Sequence, residues 1–194
     1  MATLPGMWDR TITISSAGKT FSATGWKLGW SIAPQHLMQP LMTVHQNCLY
    51  TGATPLQEAV ARAFELETSR VDDRKSCYLY TLPNDELLPK RDHMIEMLRQ
   101  AGMEPTIPEG GYFIIADWSK VGVAPSLYED GSGDPKDFQF VKWLCREKKL
   151  AAIPPSAFYS DEHKHLAENY IRFCFFKDEK TIAGAGEVFK SLSD

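Results

Sequence analysis

The most informative segment of the chain is SSAGKTFSATGWKLGW, which spans residues 15–30. It follows an alternating run, Thr11–Ile14, that predicts a short strand ending in small residues. Lys19 lies beside a glycine at the end of this strand, and a second cation, Lys27, precedes another apolar run, Leu28–Ile32, that predicts a second strand. In such a crowded, partly apolar place, desolvation and a nearby like charge favour the neutral amine. The pattern therefore indicates that Lys19 is an amine able to attack a carbonyl group.

A lone lysine in a loop is more often simply solvated, but the residues around Lys19 form a long and unusual pattern. Ser-x-Gly-Lys-x-Phe, followed by Thr-Gly-Trp-Lys-x-Gly-Trp, resembles the Schiff-base segment of fold-type I pyridoxal-phosphate aminotransferases. More narrowly, it resembles the kynurenine–oxoglutarate transaminase group. Members of this group are also called cysteine-S-conjugate β-lyases or glutamine transaminase K.

The resemblance implies roles for three residues of this segment. The lysine that matches Lys19 forms the Schiff base with pyridoxal 5′-phosphate and then moves the substrate proton, so Lys19 is the expected catalytic residue. Ser16 and Lys27 match the phosphate ligands of the family, a hydroxyl donor and a cation that suit a dianion. Taken alone, Lys27 would be read as an exposed lysine at a strand edge.

Arg172 is a second candidate, because it lies inside the apolar run Tyr170–Phe176. An arginine within such a strand needs an anion, since unpaired burial of a charge is costly. The residues alone leave two partners open, an internal Asp or Glu and a bound ligand. The run resembles the Ile-Arg-Phe-x-Phe motif of the family, which implies that the planar fork of Arg172 grips the substrate α-carboxylate.

Three aromatic residues complete the substrate site that the resemblance implies. Tyr112 and Phe113 follow Gly110-Gly111 in a turn similar to the one that walls the family's substrate pocket. Ordinary packing in a hairpin is the alternative for at least one of them. Tyr50 stands where family dimers send a loop into the neighbouring subunit's site. Some members carry Phe-His there, whereas this chain has Tyr-Thr.

The composition limits the class of protein. The 194 residues are 43% hydrophobic and 24% charged with a net charge of −4, enough apolar content for a substantial core. No basic cluster indicates nucleic-acid binding, and no apolar run is long enough to span a bilayer. The cysteines and histidines lack metal spacing, and His163-x-His165 is interpreted as surface. The first residues do not resemble a secretory signal. We therefore expect an intracellular protein, cytoplasmic or alternatively mitochondrial, without a metal.

Apolar periodicity predicts an α/β chain with helices and strands in alternation. Five helices are predicted. The first follows Pro34, and the second begins at a Thr54 cap and runs to about Ser69. The others cover 91–101, 138–149 and the residues after an Asp178 cap. The predicted later strands are 103–107, 112–116, 151–154 and 170–176. We interpret Pro83 and Pro89 as breaking any long helix, Gly102 as a helix stop, and 125–135 as a surface loop.

The resemblance also implies a division into domains of the aspartate-aminotransferase-like fold. Residues 1–70 would be the C-terminal part of the large cofactor domain, and 71–194 an α+β small domain. Family chains run to more than twice this length and their lysine lies past the midpoint. This chain is therefore expected to correspond to the C-terminal half of such a protein.

The parent is then expected to be a homodimeric transaminase that uses kynurenine, glutamine or aromatic amino acids and a 2-oxo acid. Cleavage of cysteine S-conjugates is the additional activity that the resemblance implies. The alternative is that this chain is a catalytically silent fragment or a subunit-interaction piece. The acid that pairs with the ring nitrogen and the aromatic residue that stacks on the ring are not found in it, since Asp9 does not match that acid.

Overall fold

A computed structural model of the chain describes residues 1–192. They form two compact units, which divide between Leu82 and Pro83. We refer to them as the N-terminal and the C-terminal unit. The division lies beyond the boundary at residue 70 that the resemblance implies.

The N-terminal unit begins with an antiparallel hairpin. Strand β1 (Thr13–Ser16) pairs with β2 (Gly29–Ile32), and Ser16 stands opposite Gly29. A one-turn helix, α1 (Ala17–Thr20), and a 3-10 turn, Thr24–Trp26, lie between the strands. The amide of Ala17 donates to the carbonyl of Leu28 over 3.0 Å and closes this loop.

Two predicted helices follow, α2 (Gln35–Cys48) and α3 (Thr54–Ser69). Ala53 rather than Thr54 occupies the cap of α3, so the predicted threonine cap was wrong by one residue. Phe64 of α3 contacts the rings of Phe21 and Trp30 edge-on, with centroids 4.8 and 5.2 Å apart. These contacts fix the hairpin and its loop against α3.

The prediction that Pro83 and Pro89 break any long helix was wrong. Helix α4 (Tyr78–Thr81) runs directly into a π-helical stretch, Leu82–Leu87, and then into α5 (Leu88–Gln100). Proline clashes with the preceding turn of an α-helix, and the wider π-turn relieves that clash. Pro89 lies at the second position of α5, directly after the π-helical stretch.

The C-terminal unit is built on a three-stranded antiparallel sheet in the order β3-β4-β5, with β3 (Glu104–Thr106), β4 (Phe113–Asp117) and β5 (Tyr170–Cys174). Gly102, at φ +78°, ends α5 as predicted. One face of the sheet is buried, with Ile114 opposite Phe173 and Ala116 opposite Ile171. Successive strand residues point to opposite faces, so the residues between them lie on the other side.

Helices cover the buried face of this sheet. They are α5, α7 (Lys136–Glu147) and α8 (Glu179–Lys190), whose buried residues include Leu98, Phe140 and Phe189. Asp178 caps α8 as predicted, because its carboxylate accepts from the amide and the hydroxyl of Thr181, each over 2.8 Å. These bonds hold the pKa of Asp178 below its usual value.

Two shorter segments differ from their predictions. Residues 125–135 begin with a helical turn, α6 (Pro125–Tyr128), and Tyr128 is buried against Trp118 at 5.3 Å. The predicted strand 151–154 is reduced to one bridge, between Ile153 and Arg172. Two prolines follow Ile153, and without amide N–H groups they cannot extend the ladder.

No helix within residues 1–192 has both the length and the apolar character that a membrane crossing requires. The same residues contain no cluster of three or more His, Cys, Asp or Glu side chains able to hold a metal ion. All four cysteines are free thiols.

Candidate active site

The loop between β1 and β2 carries three of the predicted site residues. Ser16 is the last residue of β1, Lys19 lies on α1, and Lys27 precedes Gly29 of β2 by two residues. Because Ser16 pairs with Gly29, the antiparallel register places the hydroxyl and both cations at the same end of the hairpin. The spacing of these three residues along the sequence did not by itself require that they lie together.

Tight packing within this loop leaves room only for glycine at position 18. A Cβ atom on Gly18 would lie 2.9 Å from the Cα of Thr24 and 3.3 Å from the Oγ of Ser16. The hydroxyl of Thr24 donates to the carbonyl of Gly18 over 3.2 Å. Lys27 adopts a left-handed conformation, φ 54° and ψ 37°, which costs a non-glycine residue about 1 kcal/mol or more. Such backbone strain is concentrated at functional sites.

Lys19 is exposed, so the expectation of crowded, apolar surroundings was wrong for its side chain in this chain. Ala17 and Gly18, the two residues before it, are both buried. Each helical residue turns about 100° from the last, so α1 packs its first residues inward and directs Lys19 outward.

We expect Gly18→Ala to destabilise the N-terminal unit by about 1–3 kcal/mol, because the added methyl group meets backbone atoms that cannot move aside. Helix propensity alone predicts the opposite sign, since alanine is the better helix former. Urea denaturation of this chain measures the effect. Gly25→Ala is the matched control, because a Cβ there meets nothing within 4 Å. Equal midpoints for the Gly18 variant and the parent chain would contradict the crowded loop.

Arg172 projects from the sheet face opposite the core of the C-terminal unit. Its guanidinium carbon lies 4.3 Å from the ring centroid of Phe113 and 4.7 Å from that of Phe158. Within residues 1–192 no Asp or Glu side chain forms an ion pair with it. Its Nε is buried and has no hydrogen-bond acceptor. The described chain therefore does not supply the internal carboxylate that was the alternative partner.

The segment that carries Phe158 is anchored at two points. Ile153 and Arg172 exchange backbone hydrogen bonds of 3.0 Å in both directions. Ser156 donates from its amide and its hydroxyl to the carboxylate of Asp137, over 2.8 and 2.7 Å. Both Asp137 and Ser156 are fully buried. Sequence reasoning missed Asp137, Ser156 and Phe158, although an Asp directly before a predicted helix and a Pro-Pro-Ser run were visible signals.

The two aromatic residues of the Gly110-Gly111 turn have different surroundings. Tyr112 is buried and its ring lies 4.9 Å from that of Phe176, whereas Phe113 is half-buried and contacts Arg172. Tyr50 is 78% exposed and left-handed at φ 70°. The predicted residues thus form one group at the β1–β2 loop, a second around Arg172, and Tyr50 after α2.

Residues 3–187 match the sequence pattern described as aminotransferase class I and II, and the chain belongs to that family. It is 53% identical over 193 residues to human kynurenine–oxoglutarate transaminase 3, covering 100% of this chain and 42% of that protein. It is 47% identical over 182 residues to mouse kynurenine–oxoglutarate transaminase 1, covering 94% of this chain and 42% of that protein.

The fold agrees with a solved structure, that of Bna3p from Saccharomyces cerevisiae. The TM-score is 0.82 at 34% identity, covering 98% of this chain and 44% of that chain. The predicted α/β aminotransferase fold and the resemblance to the kynurenine–oxoglutarate transaminase group are thereby confirmed. The chain spans less than half the length of these relatives.

Proposed function

We propose that the complete protein is a pyridoxal-phosphate-dependent aminotransferase of the kynurenine–oxoglutarate type. It transfers the amino group of kynurenine, glutamine or an aromatic amino acid to a 2-oxo acid, and it also cleaves cysteine S-conjugates. The observation that carries the proposal is the register of β1 and β2, which gathers Ser16, Lys19 and Lys27 at one end of a hairpin. The relatives named above support the choice of substrates.

The residues at this hairpin end fit pyridoxal phosphate. A hydroxyl donor and a cation, Ser16 and Lys27, suit the phosphate dianion, and the primary amine of Lys19 suits the aldehyde. Gly18 carries no Cβ, so the loop backbone stays close-packed beside them. When bound, the cofactor supplies an electron sink for bond cleavage at the substrate Cα. The residues of this chain would orient the bound cofactor.

Lys19 and Arg172 have complementary tasks in this proposal. The amine of Lys19 would hold the aldehyde of the bound cofactor, and it is the group that would carry the proton at the substrate Cα. The guanidinium of Arg172 receives the substrate α-carboxylate through two parallel N–H bonds, which fixes the orientation of that carbon. Its lack of a carboxylate partner within residues 1–192 leaves the fork available. Phe113 lines this subsite, and Tyr112 supports it from the core side.

Two further parts of the proposal concern assembly. The complete protein is a homodimer in which Tyr50 reaches the partner's substrate site, and the strong exposure of Tyr50 is in keeping with this role. Residues 1–70 belong to the cofactor domain and the remainder to the small domain. The division between Leu82 and Pro83 supports a two-part organisation.

The direct test compares the complete protein with this chain. The complete protein, mixed with pyridoxal phosphate, should form the yellow band of a lysine-bound cofactor and should convert kynurenine in the presence of oxoglutarate. This chain, at 42% of the length of its relatives, is the candidate for the silent fragment: weak cofactor binding through Lys19 without turnover. No kynurenine conversion by the complete protein would overturn the proposed function, and turnover by this chain alone would overturn the fragment interpretation.

We expect Arg172→Lys to raise the KM of both the amino acid and the oxo acid, because lysine keeps the charge but loses the fork. Truncation of one side of a desolvated charge pair costs about 2–5 kcal/mol, and lysine should lose less. Cofactor retention should not change. The control is Arg99→Lys, an exposed arginine on α5. Loss of the cofactor with unchanged KM would mean that Arg172 is structural.

A further inference from the structure

Phe158 has an unusual combination of exposure and contact. Its side chain is 63% exposed, so it contributes little to the hydrophobic core of the C-terminal unit. Its ring nevertheless lies over the guanidinium of Arg172, 4.7 Å from centroid to carbon. An apolar ring held at the surface beside a cation is better explained by what it does to the cation than by burial.

The backbone holds Phe158 in this position. Phe158 ends the 3-10 turn Pro155–Phe158, and Ser156 within this turn is tied to the buried carboxylate of Asp137. Three residues upstream of Ser156, Ile153 is bonded in both directions to the backbone of Arg172 itself. The turn is therefore fixed both to α7 and to the residue that its ring covers.

We propose that Phe158 is a positioning residue that, together with Phe113, restricts rotation of the Arg172 guanidinium and presents its N–H edge to a carboxylate ligand. Two parallel N–H bonds to a carboxylate require the two groups to share a plane. A guanidinium at the end of a flexible side chain must lose rotational freedom to reach that plane, and aromatic contact reduces the freedom in advance. The role rests on the proposed function, because the carboxylate is that of its amino-acid and oxo-acid substrates.

Steady-state kinetics of the complete enzyme test the positioning role. Phe158→Leu should raise the KM of both substrates about three- to tenfold with little change in kcat, the size expected from losing one cation–π contact. Phe158→Tyr keeps a ring and should restore the parent KM. Tyr159→Leu, the neighbouring aromatic residue, is the control and should leave both constants unchanged. A parent-like KM for Phe158→Leu, or a KM for Phe158→Tyr as high as that of Phe158→Leu, would overturn the proposal.

A second readout uses this chain without cofactor or substrate. The guanidinium carbon of Arg172 lies 4.3 and 4.7 Å from two ring centroids. The NMR resonance of the neighbouring Nε–H proton should therefore be displaced by ring currents, and Arg172→Lys identifies the signal by its loss. Phe158→Leu should move the resonance towards the position of an exposed arginine, while Phe158→Tyr should not. An unchanged resonance in Phe158→Leu would overturn the contact. If the complete wild-type protein lacks transaminase activity but the resonance moves, the proposed function and the carboxylate role are overturned while the ring contact stands.

Discussion

Lys19→Ala should abolish transamination by the complete enzyme and leave the fold unchanged. In the proposed site the variant would lack both the amine for the cofactor aldehyde and the base for the proton, and loss of a general base alone costs about 10²–10⁴ in rate. Because the Lys19 side chain is exposed, its removal opens no cavity. The free energy of unfolding of this chain, measured by urea denaturation, should therefore stay within about 0.5 kcal/mol of the parent value. Single-turnover kinetics with kynurenine and oxoglutarate give the rate.

Two comparisons make this result specific to the amine of Lys19. Lys19→Arg keeps the positive charge but has no amine that can attack an aldehyde, so it should be as inactive as the alanine variant. Lys27→Ala should instead weaken cofactor binding, because the lost charge faces the phosphate in the proposed site. Wild-type turnover by Lys19→Ala would remove the central claim about this site.

Asp137→Ala should destabilise the C-terminal unit by about 3 kcal/mol. Asp137 is fully buried, and its carboxylate accepts from the amide and hydroxyl of Ser156 and from the amide of Phe138. Its removal leaves buried donors without an acceptor and opens a cavity, and both effects lower the free energy of unfolding. Urea denaturation of this chain, followed by circular dichroism, measures the change.

The partner and a surface carboxylate provide the controls for Asp137. Ser156→Ala removes the hydroxyl donor of one of these hydrogen bonds and keeps the amide donor of the other, so the double variant should lose less than the sum of the single losses. Asp161→Asn breaks only an ion pair in which the carboxylate is 94% exposed, and it should leave the midpoint unchanged. A parent-like midpoint for Asp137→Ala would mean that the anchor of the Phe158 turn contributes nothing to stability.

Local rules predicted most of the elements in this fold. Apolar spacing located α2, α3, α7 and α8, and cap chemistry identified Asp178 and Gly102 correctly. The same rules failed at Pro83, because they treat proline as a helix breaker and carry no signal for a π-turn that accommodates it.

The candidate site was predictable where motifs are contiguous and not where contacts are long-range. The segments around Lys19 and Arg172 were recognised from neighbouring residues alone. Asp137 and Ser156 are 19 residues apart, and their hydrogen bonds exist only once α7 packs beside the segment 153–158. The exposure of Lys19 could not be predicted either, because it depends on which way one turn of helix faces.

Strand β5 joins two tasks, since Ile171 and Phe173 fill the core while Arg172 between them faces outward. A shift of one residue in its pairing with β4 would exchange these faces, burying a guanidinium and exposing a phenylalanine. Because an unpaired buried charge is costly, the shifted pairing has a higher free energy than the native pairing. The arginine proposed for ligand binding thus also disfavours the shifted register of β5 when no ligand is bound. Exchanging it for leucine should therefore lower the yield of refolding as well as ligand affinity, because the wrong pairing would no longer be penalised.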